Sequence, residues 1–187
     1  MEIYLIRHTK PEIENGICYG QSDIDLSPSF ENEFQNLMQK IPSSFNIIFS
    51  SPLKRCSVLA GKLHAEKLIY DNLLMELNFG KWEMTKWNDI DNSELNNWMN
   101  NYVDTSPPDG ENYKQLFERV KQFWDTNFVK LKEEKIAVVA HAGAIRAVLA
   151  IILELELQKT FMFSIDYGKT IKVDFTNNYY SIKYINY

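Results

Sequence analysis

The sequence predicts an α/β domain with a largely parallel sheet, and three observations carry that expectation. Short apolar runs at 2–6, 46–49, 67–70 and 136–140 alternate with stretches of helical period. Several of these runs end abruptly in polar residues: Arg7-His8, Ser50-Ser51 and His141. A chain of 187 residues suits one well-cored domain, 1–187, and is short for two.

Each element has a local reason. Residues 7–26 hold Pro11, Gly16 and Gly20 without helical period and read as a long loop. Ser27-Pro28 supplies a cap followed by proline at the first helical position, and Phe30, Phe34, Leu37, Met38 and Ile41 follow at helical spacing. Ser51-Pro52 repeats that signal ahead of a helix over 53–64. After the run at 67–70, residues 71–83 are irregular and 85–102 are expected to be helical. Residues 105–110 form a loop, and 111–132 form a long amphipathic helix with Leu116, Val120, Phe123, Trp124 and Leu131 inward. An apolar helix is expected at 144–153, and 169–175 with 179–185 read as a hairpin around Thr176-Asn177-Asn178.

Composition excludes several classes. Hydrophobic residues at 45% and charged residues at 24% describe a globular chain rather than a disordered one. The net charge of −5 argues against nucleic acid as a partner, while leaving room for one phosphate in a locally basic pocket. No stretch is long and apolar enough to span a membrane, and the amino terminus lacks the pattern of a secretion signal. The cysteines, Cys18 and Cys56, have no metal-type spacing and read as free thiols, so a cytoplasmic location is expected. The sequence carries no sign of oligomeric state.

In such folds ligands bind beyond the carboxyl ends of the strands. Two of the three histidines, His8 and His141, follow directly on predicted strands. With Arg7 and with Arg55, one turn into a helix, they would supply two imidazoles and two guanidinium groups. Guanidinium donors suit phosphate oxygens, and a neutral imidazole can be a nucleophile. No carboxylate cluster lies near either histidine, so no metal and no cofactor is expected. His64 belongs to no motif and reads as a surface residue. Trp82, Trp87, Trp98, Tyr102 and Tyr113 are either packing or the lining of a pocket for a flat base.

Five ordered runs now carry a resemblance. They are Leu5-Ile6-Arg7-His8-Thr9, Ser50-Ser51-Pro52-Leu53-Lys54-Arg55-Cys56, Glu76 with Leu77-Asn78-Phe79-Gly80-Lys81-Trp82-Glu83, Pro108-Asp109-Gly110-Glu111, and Val138-Val139-Ala140-His141-Ala142-Gly143-Ala144-Ile145-Arg146. Together they resemble the histidine phosphatase superfamily, whose phosphoglycerate mutase-like fold is a three-layer sandwich with a mostly parallel sheet flanked by helices. Thr9 and Cys18-Tyr19-Gly20-Gln21-Ser22-Asp23 are most similar to the branch containing alpha-ribazole phosphatases. The resemblance implies that His8 becomes phosphohistidine, that Arg7, Arg55 and His141 clamp the phosphoryl oxygens, and that Glu76 protonates the leaving oxygen. Thr9 and Ala142 would contact substrate.

The sequence departs from the family's pattern at several positions. Thr9, Met84 and Ala142 replace glycines, Leu59 replaces a threonine, and the family's first-loop asparagine has no clean match, Asn15 being off by one. The expected substrate is a small phosphomonoester, alpha-ribazole 5′-phosphate first. A broad phosphatase or sugar phosphatase of the same family is the alternative. A mutase or a silent binding protein on the same fold stands behind them.

Overall fold

The computed structural model describes every residue except 129, 130, 132, 133 and 178. Its strands are β1 (Glu2–Arg7), β2 (Phe45–Ser50), β3 (Ala65–Tyr70), β4 (Lys135–Ala140), β5 (Thr170–Thr176) and β6 (Tyr179–Tyr184). They form one sheet in the order β3-β2-β4-β1-β5-β6. β1 to β4 run parallel, and β5 and β6 add an antiparallel edge. The helices are α1 (Phe30–Met38), α2 (Lys54–Lys62), α3 (Asn92–Asn100), α4 (Tyr113–Phe128) and α5 (Ala142–Leu153).

Side chains alternate across the sheet, so each strand feeds two cores. Ile3, Leu5, Ile47, Phe49, Ile136 and Val138 pack with Leu116, Val120 and Phe123 of α4 and Ile145 and Val148 of α5. Tyr4, Ile6, Ile48, Ala137 and Val139 pack on the other side with Phe30, Phe34 and Leu37 of α1 and Leu59 and Ala60 of α2. A sheet covered on both faces needs apolar residues at every position, which is why its central strands read as continuous runs. The result is the expected three-layer sandwich.

The chain order builds the site. β4 comes late in the sequence and inserts between β2 and β1, pairing with both. Its register sets Ala140 opposite Arg7 and Val139 opposite Ser50. The next residues continue the ladder: the His8 amide donates to Ala140 O at 3.1 Å and the Ser51 amide to Val139 O at 3.0 Å. Arg7-His8, Ser51 and His141 therefore emerge together at the carboxyl ends of the inner strands β1, β2 and β4.

Several expected elements are shifted. The helix expected over 85–102 is only α3, preceded by a single 3-10 turn at Trp87–Asp89. Asp91 ends the irregular stretch by accepting the Ser93 and Glu94 amides, so capping decides where α3 starts. Ser27 and Ser51 start turns rather than capping their helices. Ser29 stands at the cap of α1 and Leu53 at that of α2, neither with a side-chain cap bond. α4 begins at Tyr113, not 111, because Asn112 and Gln115 exchange side-chain-to-backbone hydrogen bonds of 2.9 and 2.8 Å. The carboxyl end expected for that helix, 129–132, and Asn178 of the hairpin include positions outside the described residues. α5 extends two residues earlier than expected, and a 3-10 segment at Leu157–Met162 had no sequence signal.

Candidate active site

His8 is buried at the end of β1, and its Nδ1 lies 2.7 Å from Thr9 O. A carbonyl only accepts, so Nδ1 carries the proton and the Nε2 lone pair is left for chemistry. Burial first, then the charges of Arg55 and Arg7, hold this imidazole well below the usual histidine range. It is therefore neutral near pH 7, the form a nucleophile needs.

His141 lies 5.0 Å from His8, ring centre to ring centre. Its Nε2 is 2.8 Å from Ser51 Oγ and 3.4 Å from the buried Cys56 sulfur. Burial, then Arg55, lowers its proton affinity as well. Burial also pushes the Cys56 thiol up, so it stays a protonated, inert neighbour.

The two arginines are held by carbonyls and tyrosine rings. Arg55, in the first turn of α2, donates to Ser22 O at 2.9 Å and Gly20 O at 2.6 Å. Arg7 donates to Ile165 O and lies 3.6 Å over the Tyr167 ring. Arg7 Nε, Arg55 Nε and Thr9 Oγ1 are buried without a protein partner. Unpaired buried donors cost free energy unless a ligand meets them. Two guanidiniums and two imidazoles with spare donors make an anion site.

The acidic residues divide by task. Glu76 accepts the Gly143 amide at 3.1 Å with both carboxylate oxygens, and the Leu77 amide at 3.1 Å. Gly143 lies in the first turn of α5, two residues after His141, so that one turn ties Glu76 to the second histidine. A Cβ at Gly143 would come within 2.3 Å of Glu76 Oε1. Glu83 is used in folding the first loop: it accepts the Gln21, Ser22 and Phe79 amides. Glu111 pairs with Arg119, whose guanidinium also donates to Leu73, Met75 and Glu76 carbonyls. Neither Glu83 nor Glu111 is free to serve as an acid.

Beside Glu76 lies a cavity of about 130 Å³ walled by Leu77, Phe79, Trp98, Tyr102, Tyr113 and Phe161, with Ala142, Gly143 and Arg146 at its edge. A second of about 180 Å³, walled by Tyr19, Phe79 and Trp87 among others, also reaches Glu76. Of the five aromatics singled out in the sequence, Trp98, Tyr102 and Tyr113 line the first cavity and Trp87 the second. Trp82 is packed with Cys18 and Ile90. Phe161 and Arg146 also line the first cavity without a sequence signal for that role, although Arg146 ends the second-histidine run.

The departures from the family pattern resolve locally. Thr9 keeps a negative φ, so that turn needs no glycine, while Met84 sits at φ 63°, the left-handed region that glycine favours. Leu59 is core. Asn15 and His64 are exposed, and no hydrogen bond among the described residues joins Asn15 to the site.

Comparison with known proteins identifies the family. The histidine phosphatase superfamily (branch 1) model matches residues 3–187. The chain is 24% identical to the adenosylcobalamin/alpha-ribazole phosphatase of Escherichia coli, covering 100% of this chain and 96% of that one. It is 25% identical to phosphoserine phosphatase 1 of Hydrogenobacter thermophilus, covering 89% and 82%. The alpha-ribazole phosphatase structure from Shigella flexneri superposes with a TM-score of 0.90 at 23% identity, over 100% and 96% of the chains. With its two histidine motifs meeting at the carboxyl ends of the inner strands, the chain belongs to the histidine phosphatase superfamily, branch 1.

Proposed function

We propose that the chain hydrolyses a small phosphomonoester through a phosphohistidine on His8, and that its substrate is alpha-ribazole 5′-phosphate. Nε2 of neutral His8 attacks phosphorus in line with the leaving oxygen. Arg7, Arg55 and His141 meet the charge on the equatorial oxygens, with Thr9 beside them. Glu76 gives its proton to the leaving oxygen. Water then takes the phosphoryl group from His8, with Glu76 as base. Ala142 and Gly143 floor the leaving-group side. The residues of this reading belong to one domain over 1–187 and act without a metal or cofactor. No helix among the described residues is long and apolar enough to cross a membrane, and the free thiols fit a cytoplasmic setting.

The observation that carries the substrate is the aromatic cavity beside Glu76. Phe79, Trp98, Tyr102, Tyr113 and Phe161 offer ring faces and edges to a flat, apolar leaving group. A small polar alcohol such as serine would leave those walls unused. The likeness to two alpha-ribazole phosphatases supports the same choice. The test is kcat/KM over a panel holding alpha-ribazole 5′-phosphate, phosphoserine, 3-phosphoglycerate and simple sugar phosphates. Alpha-ribazole 5′-phosphate should lead by at least ~10-fold, as burial of an aromatic ring adds over 1 kcal/mol. Equal values across the panel would favour a broad phosphatase, and a lead for phosphoserine would overturn the substrate.

A further inference from the structure

Tyr19 and Tyr167 come from loops far apart in the chain, one after β1 and one before β5. Their hydroxyl oxygens are 2.6 Å apart. The Tyr167 ring lies under the Arg7 guanidinium at 3.6 Å and 5.5 Å from the His8 ring. The Tyr19 ring lies 5.2 Å from the Arg55 guanidinium. The hydrogen-bonded pair thus joins the surroundings of the two arginines, with the Tyr167 ring against His8.

Two hydroxyls carry two protons, and the bond between them uses one. The other has no protein acceptor in the hydrogen bonds of the described residues. Together with the unpartnered Arg7 Nε, Arg55 Nε and Thr9 Oγ1, this is a surplus of donors pointing to an anion. Burial and the bond to Tyr167 push the Tyr19 phenol up, so it remains a donor at neutral pH.

We propose that the Tyr167 hydroxyl is a further catalytic group: it donates to an oxygen of the transferring phosphoryl group, while Tyr19 positions it by donating to the Tyr167 oxygen. Tyr167 takes the outer role because its ring is the one against His8. A phenol that is itself accepting a hydrogen bond is a stronger donor, so the pair acts as a two-link chain. The proposal rests on the phosphoryl group lying at His8.

The test reads binding without turnover. Calorimetric titration with inorganic phosphate should show binding to the wild-type protein, weakened about 10- to 100-fold in Tyr167→Phe, the range for a hydrogen bond to a charged group. The phenyl ring stays under Arg7, so the arginine keeps its stacking. Tyr19→Phe should lose less. In Tyr167→Phe, kcat/KM should also fall by the same factor for an alkyl phosphate and for para-nitrophenyl phosphate, since the contact is to the phosphoryl group. Unchanged phosphate affinity in Tyr167→Phe, a larger loss in Tyr19→Phe, or no phosphate binding by the wild type would each overturn the assignment. If phosphate is found on a residue other than His8 while Tyr167→Phe still weakens phosphate binding, the phosphohistidine reading and the catalytic role of Tyr167 fall, and only its contact to a bound anion stands.

Discussion

Glu76 differs from every other carboxylate near the site in what it leaves free. Glu83 and Glu111 are surrounded by amides and a guanidinium, whereas Glu76 meets only two amides and faces the aromatic cavity. That makes it the residue whose loss depends on the leaving group. Glu76→Gln should slow single-turnover phosphorylation from alkyl phosphates by about 10²- to 10⁴-fold. The loss should be far smaller for para-nitrophenyl phosphate, which leaves without protonation. Arg55→Ala removes charge stabilisation and should slow both substrates comparably. Equal losses in Glu76→Gln would mean that it is not the acid.

At the scale of elements, one turn of α5 sets the spacing between His141 and Glu76, and a single atom tests it. Gly143→Ala places a Cβ 2.3 Å from Glu76 Oε1 and 3.3 Å from Leu116 Cδ1, so the carboxylate must move. We expect phosphorylation from alkyl phosphates to fall about 10²-fold, the usual cost of a small misplacement. Gly61→Ala in α2 meets no atom within 4 Å and should be neutral or stabilising by up to ~1 kcal/mol. Rapid-quench rates and thermal melts of the two variants check this pair. If Gly143→Ala retained wild-type rates, Glu76 would not need its amide contact.

The strand ends were legible because a buried apolar run that stops at Arg-His or at His is a pattern within a few residues. Glu76 was legible only through the motif around it. Phe161 and Tyr167 were not legible, since their segment has no periodicity and enters the site through 3-10 and loop backbone. The helix expected over 85–102 failed for a related reason: its apolar residues Trp87 and Ile90 serve a local cluster with Trp82 rather than one helical face.

For the molecule as a whole, two buried neutral histidines tie stability to pH. His8 and His141 are both held well below their unfolded value of about 6.5, by burial first and then by Arg55. Below that pH the unfolded chain binds two protons that the folded chain refuses. Stability is therefore full above about 6.5 and falls as pH drops below it, by up to ~1.4 kcal/mol per pH unit for each histidine. Urea midpoints between pH 7 and 5 should decline, and His8→Gln should shallow the slope by about one proton. A slope unchanged by that substitution would contradict a neutral His8 in the fold.

The covalent step is the claim on which the rest depends. Wild-type protein in excess EDTA, mixed with a ³²P-labelled phosphomonoester and quenched in alkali within milliseconds, should carry acid-labile phosphate on His8. His8→Ala should carry none and turn over at least ~10³-fold more slowly with its fold intact. Label on a serine, an aspartate or His141, or turnover that EDTA abolishes and magnesium or zinc restores, would contradict the account.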